Sequence, residues 1–308
     1  MVRLRKSLII LGCCLVFFML FPVGVFGQEK SPPLPLHGIE GMGGVCSTYS
    51  AYLVNPAKDG KVFGLPSLEV AYIHLGKGRS LEALTITETL WDRLEAGYAF
   101  HSFDFGDLPQ DIENMTGVDI NDHSVNMHNF NLRFQAVREN FFDLAWMPAV
   151  TVGIHYKKNN DIGCINNKLS GALKGIGIED DNGLDFTVYF TKMITSLPRP
   201  LLVNVGIRST KAAHLGLFGF TDDRKTLFEG NLVLFITNQI LFAMEYRQKP
   251  DEYDAIPGLI KKEDDWNTLC LCYVINDQMA FSGGYGHFGD VLNHKANKSW
   301  CIKFKYEF

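Results

Sequence analysis

The last nine residues of this 308-residue chain constrain its fold most. They read Trp300-Cys301-Ile302-Lys303-Phe304-Lys305-Tyr306-Glu307-Phe308. Apolar or aromatic side chains stand at 300, 302, 304, 306 and 308, with Cys301, Lys303, Lys305 and Glu307 between them. Successive side chains of a strand point to opposite faces, so this stretch has one greasy face and one polar face. A strand of a soluble protein can share that pattern, but this one ends the sequence on Phe. A closing barrel strand that stops at the aromatic girdle of a membrane has this form.

The N-terminus indicates the compartment. Arg3, Arg5 and Lys6 precede an apolar stretch from Leu8 to Phe21, and Val25-Phe26-Gly27 supplies small residues at a cleavage-type position. This predicts a secretory signal peptide over residues 1–27. The apolar part is short for a spanning helix, and no later segment has the roughly 20 apolar residues one needs. Removing 1–27 takes three of the 29 basic residues and no acidic ones, leaving 26 against 34 and a formal charge of −8. An acidic chain lacks the basic footprint of a nucleic-acid binder.

Strand-like segments recur after a Pro-rich stretch (Ser31 to Leu36) and a glycine cluster (Gly38 to Gly44). That cluster lacks the Lys-Ser/Thr ending of a phosphate loop. It reads as a flexible lead-in, residues 28–45, with folding back into a pore mouth as the other option. The first strand is expected at Thr48 to Val54. Others follow: Leu68 to Leu75, Leu81 to Thr89, Arg93 to Phe103, Val125 to Arg138, Ala149 to Lys158, Leu184 to Thr191 and Leu201 to Ser209. Phe228 to Ile236, Leu241 to Arg247, Asn267 to Val274, Ala280 to His287 and Ser299 to Phe308 complete the set. Short turns alternate with long polar loops, among them 104–124, with helical turns at Leu108 to Thr116, and 159–182, with a short helix near Leu169 to Leu173.

Twelve to thirteen strands of about nine residues suit a membrane meander, whose strands run about 9–11 residues. A packed sandwich turns its apolar face inward and its charges outward. Here the apolar face is rich in aromatics, while the other mixes Gly, Asn and Thr with isolated charges. That is what lipid outside and a polar lumen inside require. The expectation is an all-β, antiparallel, up-and-down transmembrane β-barrel of about 12 strands over residues 46–308.

The polar parity carries Arg133, His155, Lys157, Asp185, Arg208, Glu245, Arg247, Lys303 and Lys305. Charged rings on a pore wall select ions or orient solutes. With both signs present, the expectation is a mixed, weakly selective interior; the alternative is that Arg and Glu pair across strands and fill a closed lumen. A barrel of this size lies between side-chain-filled and open ones.

Five cysteines remain after export: Cys46, Cys164, Cys270, Cys272 and Cys301. An odd number cannot all pair within one chain. Cys270 and Cys272 are same-face neighbours on one strand, a poor geometry for a bridge, and no further His or Cys lies at zinc-like spacing. They read as small sheet residues, and their role stays open. No catalytic motif occurs. Ser282 and His287 fall five apart on one strand, hence on opposite faces. The acidic runs Asp251-Glu252-Asp254 and Glu263-Asp264-Asp265 lack the spacing of a calcium loop and read as solvated. No enzyme activity, metal or cofactor is expected.

Several runs resemble an uncharacterised bacterial family, domain of unknown function 3034. They are Ser50-Ala51-Tyr52-Leu53-Val54-Asn55-Pro56, Thr87-Glu88-Thr89-Leu90 with Arg93-Leu94-Glu95, and Trp146-Met147-Pro148-Ala149-Val150. Asn182-Gly183-Leu184-Asp185-Phe186, Glu245-Tyr246-Arg247-Gln248-Lys249, Glu263-Asp264-Asp265-Trp266 and Lys305-Tyr306-Glu307-Phe308 extend the likeness over most of Gly38 to Phe308. It implies an outer-membrane β-barrel with no established activity and no catalytic residues to carry over.

The functional expectation is an outer-membrane barrel of Gram-negative type. It is porin-like for small solutes or ions, with a loop plug as one way of gating. The alternatives are a non-conducting structural or adhesive barrel acting through its loops and, remotely, a rim hydrolase. Its expected partners are outer-membrane lipid, the barrel-assembly machinery and small solutes. Phe304, Tyr306 and Phe308 are the expected assembly signal.

Overall fold

The computed structural model describes residues 36–308 apart from 58, 59, 213, 252, 254 and 262. The export segment expected at 1–27 therefore lies outside the described residues. Twelve antiparallel strands form the wall: β1 (Ser67–Gly76), β2 (Arg79–Leu90), β3 (Leu94–Phe105), β4 (Ser124–Val137), β5 (Ala149–Asn159) and β6 (Asn182–Ile194). β7 (Leu201–Thr210), β8 (Lys225–Phe235), β9 (Ile240–Arg247), β10 (Trp266–Val274), β11 (Met279–His287) and β12 (Ser299–Glu307) complete it. Each strand pairs with its sequence neighbours, and β12 pairs with β1 to close the ring. At that seam Phe304 faces Val70 and Lys303 faces Ala71. Closure leaves no sheet edge, as a membrane demands of strands.

The alternation read from the sequence decides which face is which. Leu84, Phe130 and Leu271 point outward and are 51, 50 and 53 % exposed. They belong to a continuous apolar belt that also includes Leu132, Phe186, Ile207, Phe281 and Ile302. A belt of that extent far exceeds the apolar patches of soluble monomers and marks the lipid-facing surface of a membrane barrel. No helix among the described residues is long and apolar enough to cross a membrane; the strands do so.

Connections sort by end. Residues 91–93, 195–200, 236–239 and 275–278 turn tightly at one end, joined by the longer 138–148. Trp91, Phe142 and Trp146 stand exposed there, as an interfacial aromatic girdle does. The opposite end carries 106–123, 160–181, 211–224, 248–265 and 288–298. Helix α1 (Leu108–Thr116) lies in the first of these and stops at Gly117, whose φ of 73° lets its N–H reach the Glu113 carbonyl. Helix α2 in the second is Ile162–Lys168, upstream of the expected Leu169 to Leu173. Ser170 and Gly171 both have positive φ, which ends helical geometry inside the expected segment.

Thr48 to Val54 is not a strand of the wall. It belongs to a compact segment, residues 36–54, in which every residue is buried. The part of the expected lead-in that is described, residues 36–45, is thus packed rather than loose, and the wall begins at Ser67, not at residue 46.

Candidate functional site: a plug seated in the lumen

Residues 36–54 fill the barrel as a plug, held largely by wall side chains. A polar backbone taken from water needs a partner for each N–H and C=O. The plug has too little regular structure to satisfy itself; its one ladder is the two-residue pairing of His37–Gly38 with Met42–Gly43. A few turn bonds within the plug, such as Ile39 N–H to the Cys46 carbonyl, add to this, and wall side chains take up many of the remaining groups. Glu245 on β9 accepts the N–H groups of Cys46, Ser47 and Thr48 at 3.0, 3.0 and 2.9 Å. Glu95 on β3 accepts the Val54 N–H at 2.7 Å. Arg133 on β4 donates to the Ser50 carbonyl at 2.7 Å. Gln135 and Thr151 both donate to the Ala51 carbonyl, at 2.8 and 2.7 Å. Lys303 on β12 donates to the Val45 carbonyl at 2.7 Å and to that of His37.

Glu40 is the electrostatic centre of the plug. Its carboxylate lies 2.5 Å from Lys157 Nζ, 3.1 Å from Arg247 Nη1 and 3.3 Å from Arg208 Nη2, and it accepts the Tyr49 hydroxyl at 2.6 Å. Burial pushes this carboxyl up, but Arg208, Lys157 and Arg247 outweigh burial and hold it well below the usual carboxylate range. The cations are in turn held by wall carboxylates. Asp185 meets Lys157 at 2.9 Å and Arg208 at 3.1 Å, and Glu229 meets Arg208 at 3.3 Å. Arg133 is forked onto Glu95, with contacts of 2.6 and 2.7 Å.

The backbone also approaches the wall directly. Gly41, at φ +78°, lies against Tyr98, and a Cβ there would stand 2.8 Å from the Tyr98 carbonyl oxygen. Conversely, a Cβ on Gly97 of β3 would collide with the Gly41 carbonyl oxygen. Glycine at both positions is what permits this contact.

All nine polar-parity residues point inward and are buried, none more than 7 % exposed. Arg133, Lys157, Arg208, Glu245, Arg247 and Lys303 touch the plug. Asp185 braces two of them. His155 sits 2.8 Å from both Asn131 and Thr187 on the wall, and Lys305 pairs with Glu307. Of the two interiors left open by the sequence, paired charges in a closed lumen is the one found. Glu69, Glu95 and Glu229 complete the seat and were missed as site residues. Their signal was available, since each lies on the inward parity of its strand.

The loop end is closed by different chemistry. Inward positions there are apolar: Ile73, Leu75, Leu81, Phe103 and Val125. Leu215, Leu217 and Phe218 from the 211–224 loop fold onto them, with Phe218 edge-on to Phe103 at 5.1 Å. A residual space of about 30 Å³ remains beneath this cap. The Glu263 run is not a solvated loop. Glu263 is buried, 2.6 Å from His214 Nε2 and in contact with Lys249. Burial lowers the His214 pKa, with Glu263 opposing the shift and the Lys249 ammonium adding to it. Ser282 is buried inward, and His287 falls on the other parity of the same strand.

A closed, membrane-spanning β-barrel with a plug bound inside its lumen is the class that this fold and site define. The chain belongs to the family described as protein of unknown function (DUF3034), whose profile matches residues 39–305. No curated protein matches it. Among solved structures it is similar in fold to a NanC porin (12 % identity, TM-score 0.48, covering 79 % of this chain and 98 % of that one). A KdgM porin is similar at 9 % identity and TM-score 0.46, covering 79 and 99 %. LpxR from Salmonella typhimurium is similar at 9 % identity and TM-score 0.44, covering 79 and 100 %.

Proposed function

We propose that the protein is an outer-membrane channel for small solutes or ions, kept shut by its N-terminal plug and opened when the plug leaves its seat. The supporting observation is the nature of that seat. The plug is bound through charged and hydrogen-bonded contacts to a wall that carries Arg133, Lys157, Arg208, Arg247 and Lys303. Such a wall can be rewetted when the segment moves, whereas interdigitated apolar side chains leave nothing for water to bind. The apolar cap favours a second reading, a barrel that stays closed and works through its loops.

Planar-bilayer recording separates the two. The intact barrel should show low, infrequent conductance, and a variant lacking residues 36–54 should show a steady increase. A plug-deleted barrel that keeps heat-modifiable gel mobility yet conducts nothing above background would overturn the channel reading and leave the second.

A further inference from the structure

Cys46, Cys270 and Cys301 are far apart in sequence and meet at one point of the lumen. Cys46 comes from the plug, Cys270 from β10 and Cys301 from β12. The Cys46 N–H and the Cys270 thiol both approach the Glu245 carboxylate, at 3.0 and 3.9 Å, and all three are buried free cysteines. The backbone makes room for them. Gly284 on β11 is paired with Cys270 on one side and Cys301 on the other. A Cβ on Gly284 would lie 2.9 Å from the Cys270 sulfur and 2.8 Å from the Cys301 sulfur. The two wall thiols thus lean over the glycine toward each other, and the plug thiol joins them.

We propose that this cluster is a covalent attachment site, at which a disulfide from Cys46 to Cys270 or Cys301 fastens the plug to the wall. The strand lattice excludes the third pairing. Cys270 and Cys301 are separated by an intervening strand, so their Cα atoms stand about 9.6 Å apart at the usual strand spacing. A disulfide needs a Cα separation of roughly 4.4–6.8 Å. Cys46 has no such restriction, because it sits in a turn. Its N–H is held by Glu245, whose register partner Thr268 lies two residues from Cys270 on the same face. Cys272, also inward, is paired with Ser282 and lies outside the trio, and Cys164 is exposed on α2.

The chemistry is thiol–disulfide exchange with a disulfide-bearing oxidant of the exported compartment. The wall thiolate attacks one sulfur of the oxidant and expels its first thiol. The Cys46 sulfur then attacks the wall sulfur of the mixed disulfide and expels the second. The new S–S bond replaces the oxidant's own. The two thiol protons leave with the departing thiols, and the oxidant takes both electrons.

The test is cysteine mapping on full-length protein purified in detergent, without reference to conductance. One sample is incubated with oxidised glutathione and one with dithiothreitol. Each is then unfolded in N-ethylmaleimide, digested and mapped. The reduced sample should alkylate Cys46, Cys164, Cys270, Cys272 and Cys301 alike. The oxidised sample should show Cys46 linked to the peptide of Cys270 or Cys301, with Cys164, Cys272 and the remaining wall thiol alkylated. Cys272→Ser should leave that link unchanged. Full alkylation of the oxidised sample, a link between Cys270 and Cys301, or a link through Cys272 would each overturn the proposal.

Discussion

Glu40 of the plug and Lys157 of β5 form an ion pair at 2.5 Å with both side chains fully buried. Removing one partner of a buried pair costs about 3–5 kcal/mol, and because Lys157 keeps Asp185 at 2.9 Å the loss falls on the plug's side of the pair. Glu40→Gln should therefore loosen the plug far more than it loosens the wall, whose strands keep their ladders. Limited proteolysis of the folded barrel in detergent checks this. Cleavage within 36–54 should rise by orders of magnitude, while heat-modifiable mobility should persist. Equal protection of wild type and variant would show that Glu40 does not hold the plug.

Acid should release the two closures in sequence. His214 has a lowered pKa in the folded state, so the unfolded cap binds more protons than the folded one. Its stabilisation is complete above the ordinary value of 6.5 and is lost as pH falls from there through the lowered value. Glu40 is an acid with a lowered pKa, so its contribution is complete above 4.5 and is lost only below that. Hydrogen exchange of the 211–224 loop should accelerate from about pH 6.5 downward. Exchange of 36–54 should hold until the pH is well below 4.5. Simultaneous loss of both would refute separate control.

Gly97→Ala is a steric counterpart to the charge variant. The added methyl collides with the Gly41 carbonyl oxygen, a backbone atom that cannot rotate away. Overpacking of this kind costs about 1–3 kcal/mol and falls on the plug rather than the ladder. The variant should assemble normally and show raised conductance in bilayers. Wild-type conductance from a folded Gly97→Ala barrel would count against the plug as the closing element.

Phe308→Ala should reduce the yield of membrane-assembled barrel several-fold, with Glu307→Ala close to wild type. Phe304 and Phe308 face outward, and Lys303 and Lys305 face inward. The aromatic face of β12 is thus the lipid-facing one. Quantitative blots of membrane fractions measure the difference, and equal yields would remove the assembly role from this strand.

The wall was legible because a period of two repeated along twelve segments leaves little choice of face. Most wall strands appeared where the alternation placed them. Thr48 to Val54 failed for an instructive reason. Thr, Tyr, Leu and Val favour strands, but that preference depends on neighbours. Here the neighbours are side chains: Ala51 is bound by Gln135, Thr151 and Thr191 instead of a partner strand. Nothing local announces that arrangement. The cysteine cluster was equally invisible, since a 224-residue separation carries no spacing signal. The apolar cap was missed because Leu215, Leu217 and Phe218 acquire an inward role only once the loop folds over the ring.

The closing seam has one more consequence. Lys303 on β12 reaches Glu69 on β1 at 3.0 Å across the junction where the last strand meets the first, and the same ammonium binds the Val45 and His37 carbonyls. The lysine that binds these two carbonyls is therefore in place only once the last strand has joined the first. One ammonium thus ties the closing seam of the wall and the backbone of the plug into a single contact.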